Sequence, residues 1–100
     1  MKDKLLKIVQ HYGIEHQQRK LQEEVFELQE AITICESANE WTPSMVERWK
    51  NNITEEIADV MVLIHQIRFY YDLDDVEVSR IFTNKIDRQL ERIENERNNI

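Results

Sequence analysis

Gly13 and Pro43 are the only glycine and proline in a chain of 100 residues. A sheet domain of that length needs many tight turns, and tight turns draw on those two residues. The shortage therefore excludes most sheet architectures and points to a few long helices. Cysteine is as scarce: Cys35 stands alone, which excludes an internal disulfide and makes the cytoplasm the expected compartment. No apolar run approaches membrane-spanning length. The opening Met1-Lys2-Asp3-Lys4 leads into a short amphipathic stretch and not into a signal-peptide core. Positive charge is in deficit, with 13 basic against 20 acidic residues, a net charge of −7 and a pI near 4.9. Such a surface repels phosphate backbones and anionic lipid heads, so no nucleic-acid or membrane partner is expected. A small anion stays within reach, because a metal ion inverts the local field.

A third of the residues are charged and 41% are hydrophobic, a mixture that suits amphipathic helices with solvated outer faces. The chain reads as a single domain over residues 1–100, short enough to gain much from self-association. The expected architecture is all-α, a four-helix chain assembling into a helical-bundle homo-oligomer. The first helix runs from about Asp3 to His11 with Leu5, Leu6, Ile8 and Val9 on its apolar side, and Gly13 stops it. The second runs from about Glu15 to Ala38, where Leu21, Val25, Leu28, Ile32 and Cys35 alternate spacings of four and three.

In the third helix, Ser44 and Glu47 have the spacing of a capping box, with Pro43 just outside. Val46, Trp49, Ile53, Ile57, Val60, Ile64 and Ile67 then keep the helical period to Tyr71. Asn51 and Asn52 form helix poorly and allow a bend or break. The last helix starts near Asp74, spaced from Glu77 as in a capping box. It runs through Val78, Phe82, Ile86, Leu90 and Ile93 and is expected to fray from Asn95 to Asn99. Phe26 lies off the main stripe of its helix, and the stretch Ala58 to Ile64 is apolar nearly all round. Both ask for cover that a second copy would supply.

The acids carry the chemistry. At about 100° per residue, Lys20, Glu24 and Glu27 share one flank beside the apolar stripe of the second helix, followed by the small Ala31. On the third helix Glu56 falls inside the apolar arc, between the directions of Val60 and Leu63, and Asp59 sits one turn on at its margin. A carboxylate pointing into an apolar interface is costly unless it is paired or bound to a cation. If the two pairs face each other, four carboxylates meet, and their repulsion raises their pKa values unless a divalent cation neutralises them. Oxygen-only ligands suit Mg²⁺ or Mn²⁺. No His accompanies either pair at a spacing of three, unlike the Glu-x-x-His of di-iron bundles. Glu-x-x-Glu is common on any charged helix, and Glu23, Glu30, Glu47 and Glu55 read as solvated. Spacing alone leaves metal binding and a solvated face evenly matched.

Three segments together resemble a known family. Tyr12-Gly13-Ile14-Glu15-His16-Gln17, then Lys20-Leu21-Gln22-Glu23-Glu24-Val25-Phe26-Glu27-Leu28, then Glu55-Glu56-Ile57-Ala58-Asp59-Val60 are similar to the MazG-like nucleoside triphosphate pyrophosphohydrolases, which belong with the dimeric dUTPases in an all-α superfamily. Its signature of ExxE, a variable gap and ExxD is met by Glu24-x-x-Glu27 and Glu56-x-x-Asp59. Asn84-Lys85-x-x-Arg88 resembles the basic element of a later helix, and the likeness spans about residues 12 to 90. The resemblance implies hydrolysis of a nucleoside triphosphate between the α- and β-phosphates, giving a monophosphate and pyrophosphate. It makes Glu24, Glu27, Glu56 and Asp59 the Mg²⁺ ligands and catalytic acids, with Mn²⁺ as a substitute. Gln17, Lys20, Asn84, Lys85 and Arg88 become the substrate contacts, in a homodimer or homotetramer.

Where some relatives place an aromatic residue one turn after the final aspartate, this chain has Leu63, so the base pocket is built differently. Trp49 reads as core, and Trp41, just before Pro43, is the freer aromatic. His11, His16 and His65 read as ordinary surface or satisfied residues, and Cys35 as an inert core thiol. Two alternatives stand beside the main reading. One is a dUTPase-like enzyme with a narrow base preference; the other is a non-catalytic helical dimerisation or regulatory protein.

Overall fold

The computed structural model describes residues 1–38 and 41–99 and resolves them into four helices. These are α1 (Lys2–Tyr12), α2 (Ile14–Ser37), α3 (Pro43–Tyr70) and α4 (Asp75–Asn98). No described helix is long and apolar enough to cross a membrane. The all-α expectation is met among the described residues.

Each helix end has a local cause. Gly13 sits at φ 89°, a region that L side chains rarely adopt, and its N–H closes α1 on the Val9 carbonyl at 2.8 Å. Its own carbonyl accepts the first bond of α2, from Gln17 N at 3.1 Å, so one residue serves both helices. At the start of α3 the cap is Thr42, whose Oγ1 accepts from Met45 N at 3.3 Å, and Pro43 occupies the first helical turn. Ser44 therefore does not cap the helix as the spacing suggested. Proline is tolerated in a first turn because it has no N–H to leave unpaired there, and the cap moves two residues earlier, from Ser44 to Thr42. The helix then runs unbroken through Asn51 and Asn52, since tertiary packing outweighs their weak propensity.

The C-terminus of α3 closes as a Schellman motif. Leu73 N bonds Arg68 O at 3.0 Å and Asp72 N bonds Phe69 O at 3.1 Å, with Asp72 at φ 53°. Asp74 caps α4 through Val76 N at 3.1 Å, whereas Glu77 grips Arg80 and does not return to the cap. The last helix persists to Asn98, so the fraying expected from Asn95 is absent up to that point.

Helices α1, α2 and α3 pack together, α2 against α3 most extensively, while α4 packs against none of them. The Arg68–Asp75 ion pair ties its first turn to the end of α3. The radius of gyration is 17.8 Å, against about 13 Å for a compact 100-residue domain. The isolated chain is thus open, and the reason is visible in its burial. Among the described residues Leu5, Val9, Trp49 and Leu63 are the only buried apolar side chains.

The packing face is rotated from the apolar stripes. On α2 the covered positions are Gln17, Leu21, Glu24, Leu28, Ala31 and Cys35, while Val25 and Ile32 remain exposed. On α3 they are Trp49, Ile53, Glu56, Val60, Leu63, Gln66 and Ile67, while Ile57, Met61 and Ile64 stay open. Glu24 therefore lies within the contact between α2 and α3, not merely on a flank beside it. Cys35 is only half-buried, so the expected core thiol sits at the margin of the packing.

Candidate functional site

The α2–α3 contact brings the acids together. Glu24, Glu27 and Glu56 each offer a carboxylate oxygen, and these oxygens all lie within 4.8 Å of one another. Glu24 is buried, Glu56 half-buried and Glu27 exposed, so the cluster opens to solvent on the Glu27 side. The i, i+3 spacing within α2 places Glu24 and Glu27 as surface neighbours, and Glu56 comes across from α3. Asp59, one turn on from Glu56, is exposed and lines a cleft of 210 Å³ together with Glu24. Gln17, Lys20, Val62, Leu63 and Gln66 complete that cleft. A larger concavity of 630 Å³ is lined by Glu15, Gln18, Arg19, Leu21 and Gln22 and holds none of the four acids.

The electrostatics are strained in the direction the spacing anticipates. Burial, then the charges of Glu27, Asp59 and Glu24, and then the nearness of Glu27 as a hydrogen-bond partner, push Glu56 above its ordinary carboxylate value. Oε2 of Glu24 and Oε2 of Glu56 are both buried without a hydrogen-bond partner. Buried carboxylate oxygens normally accept bonds, and leaving one bare costs about 1–3 kcal/mol or more. The nearest positive charge is Lys20, whose Nζ lies 3.5 Å from Glu24 and 3.5 Å from Glu23. Those two carboxylates, Glu24 first, raise the Lys20 pKa. One half-exposed lysine cannot neutralise the cluster. Bare inward oxygens, an all-carboxylate donor set and an open side fit a hard divalent cation.

The other site residues divide. Gln17 is buried at 4% exposure and donates from Nε2 to Gln66 Oε1 at 2.8 Å, beside the acids. Lys20 is at the cleft but engaged with Glu23 and Glu24. Asn84, Lys85 and Arg88 lie on exposed turns of α4, which does not pack on the helices that carry the acids. Within one chain the basic element and the acid cluster are therefore apart. Trp49 is buried as expected, and Trp41 stands exposed with its ring edge-on to Trp49 at 5.1 Å. His16 is an exposed, satisfied residue as expected: its Nδ1 lies 2.7 Å from Gln17 Oε1, and its ring stacks on Tyr12.

The residue that sequence reasoning passed over is Gln66, 2% exposed and among the most completely buried side chains described. Its signal was available, as a carboxamide one turn after Leu63 in the stretch Val60 to Ile67, where His65 is the only other polar residue.

Comparison of the chain with protein-family models, curated proteins and solved structures finds no match. The functional reading accordingly stands on the site and on the resemblance of its motifs.

Proposed function

We propose that this protein is a Mg²⁺-dependent nucleoside triphosphate pyrophosphohydrolase, cleaving between the α- and β-phosphates to release a monophosphate and pyrophosphate. The observation that carries the reading is the pair of buried, unpartnered oxygens on Glu24 and Glu56 inside a three-carboxylate cluster. Glu24, Glu27, Glu56 and Asp59 would hold Mg²⁺, with Mn²⁺ as a substitute. A divalent cation there supplies charge neutralisation for the polyphosphate and lowers the pKa of a water. The protein's own acids would supply the rest: one of the glutamates would accept the proton of the attacking water. Lys20, now paired with Glu23 and Glu24, would contact a phosphate oxygen once a cation neutralised the cluster.

Pyrophosphate release from a panel of ordinary and modified nucleotides, with and without Mg²⁺, tests the proposal. Turnover should require the ion and yield pyrophosphate; orthophosphate as the product would exclude the named reaction. A dUTPase-like enzyme with narrow base preference shares the same acids and appears in that panel as a single strong substrate.

The assembly we propose is a homodimer or homotetramer. Four buried apolar side chains among the described residues make too small a core for a chain of this length. Open apolar surfaces remain, among them Ile57, Met61 and Ile64 on α3 and Val78, Phe82, Ile86, Leu90 and Ile93 along α4. The unpaired face of α4 is also the feature that favours the alternative, a non-catalytic dimerisation module. Light scattering should return at least twice the 12.2 kDa chain mass; a monomer at micromolar concentration would refute the assembly.

Packing of α4 on another copy is also what would bring Asn84, Lys85 and Arg88 toward phosphates held at the acid cluster. Lys85→Ala should then raise KM or lower kcat roughly tenfold while leaving the helical circular-dichroism spectrum intact, as expected for loss of one charge-assisted contact. Unchanged kinetics would return Lys85 to the solvated surface.

A further inference from the structure

We infer that Gln66 is a specificity-determining residue whose carboxamide nitrogen reads a hydrogen-bond acceptor on the nucleobase, selecting keto over amino bases. The inference rests on the proposed function and adds the chemistry of the base to it.

Two carboxamides buried side by side require an account, because each carries two donors and an acceptor. Gln66 accepts at Oε1 from Gln17 Nε2 at 2.8 Å. Gln17 Oε1 in turn lies 2.7 Å from His16 Nδ1, where an imidazole N–H donates to it. The line His16–Gln17–Gln66 therefore has one direction, with every oxygen in it already accepting. What is left over, besides the second N–H of Gln17, is the whole NH₂ of Gln66. It donates to no group among the described residues, yet it is not among the polar atoms sealed from solvent without a partner. Gln66 lines the cleft that also contains Glu24 and Asp59, so its free donors open on that cleft. A purely structural pair would have both ends tied off.

The cleft is polar where Glu24, Asp59 and Lys20 lie and apolar where Val62 and Leu63 lie beside Gln66. That division suits a ligand with an anionic end and a flat, mostly apolar end carrying a few hydrogen-bonding groups. A phosphate end belongs with the cation-binding acids, which leaves the base near Gln66. Because Oε1 is turned to Gln17, Gln66 presents its NH₂ to the cleft. That edge satisfies a carbonyl oxygen and turns no acceptor toward an exocyclic amine, whose hydrogens would be left facing other hydrogens. Sites built to pair one polar group reject the analogue that cannot pair.

The test compares kcat/KM within pairs that differ chiefly by keto or amino, dUTP against dCTP and ITP against ATP, for wild type, Gln66→Met and Gln17→Met. Wild type should favour the keto member of each pair by roughly tenfold or more. Gln66→Met, of similar length and without polar atoms, should bring the ratio to about one. Gln17→Met should also collapse it, because the freed carboxamide of Gln66 can then turn either way. Both variants should keep the Mg²⁺-dependent rise in melting temperature, which reports on the acids alone.

A wild-type ratio near one or in favour of the amino base, or a ratio unmoved by Gln17→Met, overturns the inference even if Gln66→Met does not fold. If wild type hydrolyses no triphosphate, the proposed function fails, and the inference is then decided by binding. In that case dUMP must bind more tightly than dCMP by calorimetry, or it falls too.

Discussion

Replacing Glu56 by Gln is expected to lower kcat/KM at least roughly a hundredfold, the scale on which a positioned acid–base or metal-binding carboxylate contributes. The same change should leave the metal-free protein as stable as the wild type or more so. The two effects have opposite signs because the same charge has two consequences. In a loaded site the carboxylate would bind the cation; without one it lies half-buried among Glu24, Glu27 and Asp59 with Oε2 unpartnered. Gln keeps the shape and removes the repelled charge.

The pH dependence follows from the raised pKa. A carboxyl whose folded-state value lies above its ordinary 4.5 binds its proton more tightly when folded than when unfolded. Its contribution is therefore unfavourable at neutral pH, is relieved as the pH falls through the folded-state value, and has gone below 4.5. Thermal melts without metal should show Glu56→Gln at or above wild type at pH 7 to 8, and the difference should vanish on acidification. Adding Mg²⁺ at about a hundredfold excess over Kd should raise the wild-type melting temperature by roughly 10 °C, and that of the variant much less. Normal turnover by Glu56→Gln would remove the metal assignment. An equal Mg²⁺ response in both proteins would place the ion elsewhere.

The second large effect is expected on α4. Ile86→Asp puts a charge in the middle of its open apolar face, between Phe82 and Leu90, while changing nothing in the packed contacts of α1, α2 and α3. If that face is buried against another copy, an uncompensated carboxylate there costs several kcal/mol in addition to the lost burial of a large aliphatic side chain, about 1.5–3 kcal/mol. Light scattering should then report dissociation toward the monomer mass, with a fall in melting temperature of at least roughly 10 °C. Hydrolysis should fall with it, because Lys85 and Arg88 ride on the same helix. An unchanged mass would mean that α4 contributes no essential contact to the assembly.

Much of the fold was legible before any coordinates. Scarcity of glycine and proline dictates long helices, and Gly13 ends α1 because its φ of 89° is open to few other residues. Helix starts were less legible. Thr42 and Ser44 both accept hydrogen bonds well, and the backbone path around Pro43 chooses between them. The acids were legible as two pairs, since three-residue spacing on a helix is a local property. Gln66 was present in the same stretch of sequence, but its importance lies in a bond to Gln17 that spans 49 positions.

The sequence by itself determined helix content, helix order and which carboxylates travel together, because each of those depends on neighbours within a few residues. Tertiary structure alone decided which side of each helix is inside. The apolar stripes of α2 and α3 are wide enough to pack in more than one rotation, and the one adopted turns Glu24 and Glu56 into the contact while leaving Ile57, Met61 and Ile64 outside. It also decided that α4 stands clear of the other three helices. An amphipathic period shows that a helix has an apolar face; only the packing of whole helices decides what covers it.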